Sequence, residues 1–86
     1  MSTPKSGLVG YIGKKIRKLR EEKGYTQDEF AFLVDISRGH YSCVETGKFG
    51  TSIEKLADIA IALNIHIGDL FPPLPELKKL RTRDKV

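Results

Sequence analysis

Residues 35–47 read DISRGHYSCVETG, and they hold the side chains of this chain that come nearest to reactive chemistry. His40 and Cys43 lie three apart, which puts an imidazole and a thiol on one side of a helix, as a metal pair or a base beside a nucleophile would require. Two ligands do not hold a structural zinc, and the other histidine, His66, belongs to a different element. No carboxylate pair, hydrolytic triad or phosphate-binding loop is recognisable, so the sequence implies no enzyme, metal or cofactor. The unusual feature is the small size of the neighbours. Gly39 in a helix costs roughly 1 kcal/mol relative to alanine. Ser42, Cys43 and Thr46 stand where an exposed helix surface usually carries Lys, Glu or Gln. Something other than helix stability selects them.

The elements that must hold this stretch are bounded by size and charge. Eighty-six residues, 40% hydrophobic, suffice for one small domain with one modest core and leave little room for an enclosed active site. A single cysteine makes no internal disulfide, no apolar run resembles a signal peptide, and none reaches the ~20 residues of a membrane span. A cytosolic setting without membrane attachment is the expectation. The net charge of +4 is segregated: residues 1–20 carry six basic and no acidic side chains, 21–75 carry four and nine, and 76–86 carry five and two. This segregation fits one cationic edge beside a core that must also stay soluble, rather than a uniform polyanion-binding coat.

The periodicity is helical throughout. Val9, Ile12, Ile16 and Leu19 recur at three- and four-residue spacing with Lys14, Lys15 and Lys18 between them, which predicts a first helix stopped by Gly24. Thr26 and Glu29 form a capping box, with Tyr25 and Phe30 as its hydrophobic staple, so a second helix starts at Gln27. It breaks at Asp35, a residue type that tolerates the left-handed conformation. Ser37 caps a third helix, with Ile36 and Tyr41 as staple. Thr51 and Glu54 suggest another capping box, before a fourth helix that buries Ile53, Leu56, Ala57, Ala60 and Leu63 and ends at Asn64. Ile65–Phe71 forms a fifth, terminated by Pro72 and Pro73. Five short helices, the second and third joined by a tight turn, make the expected class all-α with a helix-turn-helix.

The strings YTQDEFAFLVDIS, YSCVETGK and IEKLADIAIALNI resemble the DNA-binding domain of phage Cro and repressor proteins and their bacterial relatives, from about Tyr11 to Phe71. Restriction-modification controller proteins of that family are similar in length. The resemblance implies a compact five-helix, lambda-repressor-like domain over 11–71, preceded by an N-terminal arm at 1–10 and followed by a basic tail at 72–86. The sequence departs from the family pattern at Asp35, where glycine is favoured, at His66, where a hydroxyl cap is favoured, and at Gly39. The resemblance also implies double-stranded DNA as partner, a phosphate clamp at Gln27, and a buried structural ion pair between Arg20 and Glu45.

With Tyr41 and Val44 turned to the core, rotation of ~100° per residue gathers Gly39, Ser42, Cys43 and Thr46 on the opposite face. Small residues there let a helix backbone approach base edges in a major groove, and short hydroxyls meet bases or a thymine methyl. Ser37, Arg38, Gly39, Ser42, Cys43 and Thr46 are therefore the candidate base contacts. Arg38 fits guanine O6 and N7 with its planar fork, the alternative being a phosphate contact or a surface ion pair. Gln27, His40, Lys48 and Lys14 are the candidate phosphate contacts, the alternative for each being ordinary surface or partial burial.

In the tail, Leu74, Leu77 and Leu80 could form a short dimerisation helix, or the segment could be a disordered basic tail. A homodimer reading a palindrome is expected because one recognition helix covers only a few base pairs. The expected function is sequence-specific transcriptional regulation, with RNA polymerase a candidate further partner. The alternative is a protein-interaction module, antitoxin or adaptor, on the same fold.

Overall fold

Each helix is closed by local chemistry before it is packed. The computed structural model describes residues 7–81. The first helix, α1 (Gly7–Glu22), ends two residues before Gly24, whose φ of 84° makes the left-handed stop. It begins at Gly7, so residues 7–10 belong to a helix rather than to an arm, and positions 1–6 lie outside the described residues. Thr26 Oγ1 then accepts the Glu29 N–H at 3.1 Å while Glu29 Oε1 accepts the Thr26 N–H at 2.8 Å. The Tyr25 and Phe30 rings, 5.6 Å apart, supply the apolar contact beside this reciprocal cap. These contacts start α2 (Gln27–Leu33).

The turn that follows is made by Asp35 at φ 59°, with Ile36 N–H bonded back to Ala31 O at 2.9 Å. Lys55, from the fourth helix, supports it by donating to Val34 O at 2.9 Å and Asp35 O at 3.4 Å. A cation placed on terminal carbonyls also offsets the negative end of the α2 dipole. Ser37 Oγ accepts the His40 N–H at 3.2 Å and starts α3 (Arg38–Thr46). Gly47 at φ 78° ends it, with Lys48 N–H returning to Cys43 O at 2.9 Å.

Two boundaries differ from the sequence reading. The cap of α4 (Ile53–Leu63) is Ser52, whose Oγ takes the Lys55 N–H at 3.1 Å, not Thr51. The residue three beyond Ser52 is a lysine, which has no acceptor to return, so Glu54 closes no capping box. The segment expected as a fifth α-helix is a single 3-10 turn, Ile67–Leu70, with the His66 N–H donating to Asp69 Oδ2 at 3.3 Å. Pro72, which has no N–H to continue the ladder, leaves it no room to lengthen. The fifth α-helix is instead α5 (Leu74–Arg81) in the tail. It packs on α1, and Leu77 and Leu80 are half-buried while Leu74 is exposed.

Tyr41, Phe30, Ile16, Ile59, Leu63 and Leu70 are fully buried and form the centre of the core, which Ile12, Val44 and Leu56 extend. No strand occurs among the described residues. At Gly13, α1 crosses the end of α3 without room for a side chain. A Cβ built on Gly13 would lie 2.3 Å from Val44 O and 2.7 Å from Glu45 O, both backbone atoms. Gly13→Ala should therefore lower stability by about 1–3 kcal/mol through overpacking, although alanine is the better helix former by about 1 kcal/mol. A urea midpoint at or above that of the parent protein would show that the two helices separate freely.

Candidate nucleic-acid interface

The site is the outer surface of α3 together with what fastens it from behind. Tyr41, Val44 and Glu45 are its buried residues; Arg38, Gly39, His40 and Thr46 are exposed, and Ser42 and Cys43 are half-buried. The exposed strip is thus narrower than the six candidate base contacts suggested. A Cβ on Gly39 would meet nothing within 4 Å, so no packing constraint inside the protein requires glycine there. Two hydroxyls have local duties as well: Ser37 is the helix cap, and Thr46 Oγ1 donates to Cys43 O at 3.2 Å.

Behind this face sits an ion pair nearly sealed from water. Arg20 Nε meets Glu45 Oε2 at 2.6 Å and Arg20 Nη2 meets Glu45 Oε1 at 3.1 Å, with the two residues 6% and 3% exposed. Two further donors complete the carboxylate: the Tyr41 hydroxyl on Oε2 and Gln27 Nε2 on Oε1 at 2.9 Å. Arg20 Nη1 donates to Tyr25 O at 2.8 Å. Burial alone would push the Glu45 pKa upward, but the donors from Arg20, Tyr41 and Gln27 outweigh it and hold it below the usual carboxylate range. Arg20 is raised, chiefly by its hydrogen bond to Glu45. Tyr41 is raised by burial and then by that same carboxylate, which keeps its proton in the bond.

Gln27 joins this buried cluster to the surface. Its Oε1 accepts from Arg38 Nε at 3.0 Å, so the side chain expected to clamp a phosphate is engaged with two protein partners. One amide hydrogen and the backbone N–H remain for an anion. Arg38 Nε also lies 3.6 Å from Asp28 Oδ1, both side chains being largely exposed.

On the other flank, the His40 ring packs at a tilt against Phe49 with centroids 5.0 Å apart, and Lys48 is exposed just beyond the end of α3. Lys14 is elsewhere: it lines a depression on α1 with Tyr11, Lys15 and Lys18. Among the described residues no cluster of three or more His, Cys, Asp or Glu could hold a metal, and no helix is long and apolar enough to cross a membrane.

Sequence reasoning passed over three participants. Tyr41 was read as core alone, although a tyrosine four residues before a buried glutamate signals an i,i+4 hydrogen bond. Phe49 and Lys55 act across elements, and their neighbours in sequence carry no mark of it.

Known proteins share this fold. A helix-turn-helix family model matches residues 16–70. The control protein C.MunI of a Mycoplasma species is 40% identical over 61 residues, 70% of this chain and 82% of that protein. The crystal structure of the restriction-modification controller protein C.AhdI from Aeromonas hydrophila has a TM-score of 0.70 at 33% identity, covering 73% of this chain and 96% of its own. SinR, a master regulator of biofilm formation crystallised with DNA, has a TM-score of 0.65 at 28% identity over 69% of this chain and 95% of its own.

Proposed function

Because this chain belongs to the helix-turn-helix family, we propose that it is a sequence-specific DNA-binding transcriptional regulator that inserts α3 in the major groove and acts as a homodimer on a palindromic operator. The observation that carries the reading is Gly39, a costly residue on an exposed helix face with nothing in the fold to require it. A duplex approaching that face supplies the missing constraint. Base contacts fall to Arg38, Gly39, Cys43 and Thr46 with Ser37 and Ser42 at the margins. Phosphate contacts fall to Lys48, His40 and the amide groups at the start of α2, with Lys14 a more remote contributor. Affinity then comes mainly from phosphates and selectivity from the helix.

For the subunit contact we favour residues outside the tail. Leu77 and Leu80 are half-buried on an α5 that packs on its own α1, so the tail stripe is partly used within the subunit. Ile61 is 75% exposed and shares a depression with Leu33 and Asp58, while Phe32, next to Leu33 in sequence, is 87% exposed. We assign the subunit contact to this α2–α4 surface. The same exposed apolar residues are what favours the alternative, a module that binds a partner protein.

Selection of bound duplexes from a random pool, with sedimentation of the free protein, tests the reading. The expected outcome is a dimer and an inverted repeat whose half-sites are about one helical turn, ~34 Å, apart. A monomer protecting a single half-site would remove the dimer. Failure to enrich any sequence, with no salt-sensitive binding, would transfer the function to a protein partner.

A further inference from the structure

The turn between α2 and α3 is braced from outside by one side chain. Asp35 stands at φ 59°, a conformation that glycine enters freely and other residues enter at a cost. Lys55, on α4, donates to Val34 O at 2.9 Å and to Asp35 O at 3.4 Å. These two oxygens belong to the peptide groups on either side of the Asp35 Cα. In an extended chain successive carbonyls face opposite ways, whereas in a helical conformation they point the same way. One ammonium that reaches both therefore excludes an extended Asp35. The Ile36 N–H, bonded to Ala31 O at 2.9 Å, excludes the other choice, since in a continued α2 it would bond Phe32 O instead. Ser37 caps α3 only two residues later, so the conformation of Asp35 sets the direction in which α3 leaves α2.

We propose that Lys55 is a positioning residue for DNA reading: it clamps both peptide groups of the left-handed turn and so fixes the angle of α3, without itself touching DNA. The inference rests on the DNA-reading role proposed above. Its location invites a simpler assignment, because Lys55 lines the same depression as Ser37 and His40, beside the face offered to the duplex, where a lysine would meet a phosphate. The donors argue against that. An ammonium has three N–H groups; two are directed to the turn, and the third faces Asp58 Oδ2 at 3.5 Å. The side chain is only 26% exposed, and its charge is already balanced by that carboxylate. α3 packs on α1 and α2, while α4 makes no comparable contact with α2 or α3, so Lys55 is the polar link from α4 to the turn. Without it Asp35 regains its extended states and α3 leaves α2 at several angles. A spread of angles harms base contacts, which need one register, far more than a screened attraction to phosphates.

The test is a double-mutant cycle on the turn, read together with the salt dependence of binding. Lys55→Met keeps the aliphatic stem and removes the donors, and Asp35→Gly frees the left-handed turn of strain. Both variants and their combination are titrated against the selected operator and a random duplex, well below each melting temperature so that unfolding contributes nothing. Lys55→Met should weaken operator binding by about tenfold, as the loss of a charged hydrogen-bond donor does. The random duplex should change by less than about twofold, with the slope of log affinity against log salt that of the parent protein. In the Asp35→Gly background the same substitution should cost about threefold or less, because glycine holds the turn without help. Equal weakening of both duplexes, with a slope shallower by about one, would make Lys55 a phosphate contact and overturn the inference. An operator loss of the same size in both backgrounds, or no loss in the first, would overturn it too. A parent protein with no base preference would remove the DNA-reading role, and the inference with it, before any variant is measured. Should Lys55→Met fail to fold, exchange of the Lys55 ammonium protons in the parent protein decides. Slower exchange than at the exposed Lys78, unchanged when the operator binds, is expected. Exchange equal to that of Lys78 in the free protein, or slowed only by the operator, would overturn the proposal.

Discussion

Glu45→Ala should lose about 3–5 kcal/mol of folding stability, the usual consequence of leaving a buried charge without its partner. For a domain whose whole stability is about 5–15 kcal/mol, that is a large share, and a urea or calorimetric melt reads it directly. Arg20 would keep its bond to Tyr25 O at 2.8 Å and a weak approach to Glu21 at 3.8 Å, neither of which replaces a carboxylate at 2.6 Å. Tyr41 and Gln27 would lose their acceptor in the same step. Replacing both members of the pair with apolar residues, as in Arg20→Met with Glu45→Leu, should recover much of the loss, because the penalty lies in the orphaned charge and not in the absence of attraction. A Glu45→Ala protein that melts with its parent would mean that α3 is rotated and Glu45 faces water.

The same group sets an acid limit. A carboxylate with a lowered folded pKa contributes stability that is fully present above its unfolded value, about 4.3, and that is lost as pH falls through the depressed folded value. The stability difference between the parent protein and Glu45→Gln should therefore be level from neutral pH down to about 5 and shrink below it. A difference that stays constant into strong acid would show that Glu45 is not ionised in the fold.

How much of this was legible in the sequence depended on the range of each interaction. The Thr26–Glu29 box, the Ser37 cap and the Gly24 and Asp35 turns each involve residues within five of one another, and the folded chain uses all of them as read. The cap of α4 was misplaced by one residue because Thr51 and Ser52 are both competent, and only the direction of the incoming loop decides between them. The tail was ambiguous for a similar reason. Its three leucines specify an amphipathic helix, but nothing local says that α1 rather than a second subunit would cover Leu77 and Leu80. Gly13 was invisible: a glycine in an ordinary helical stretch shows its purpose only when another backbone crosses within reach of its missing Cβ. Gln27 was half-legible. Its place at the start of α2 follows from the capping box, but its two partners are 18 and 11 residues away and belong to another helix.

Gly39 separates fold from function most sharply, because the two should respond to its replacement with opposite sign. Its position is helical and open, so Gly39→Ala should raise folding stability by about 0.5–1 kcal/mol through the better helix propensity alone. Gly39→Glu should leave the fold near that of the parent protein, since the added side chain points into open space. On DNA the order reverses. A methyl group at the centre of the face holds the backbone away from the base edges, and a carboxylate adds charge repulsion in a groove walled by phosphates. Gly39→Glu should weaken operator binding by at least about a hundredfold, or ~3 kcal/mol, with Gly39→Ala falling between it and the parent. Fluorescence anisotropy titrations beside thermal melts of the same preparations measure both halves. Stabilised variants that bind the operator as tightly as the parent would show that the small face of α3 does not enter the groove, and the reading surface would have to be sought on another element.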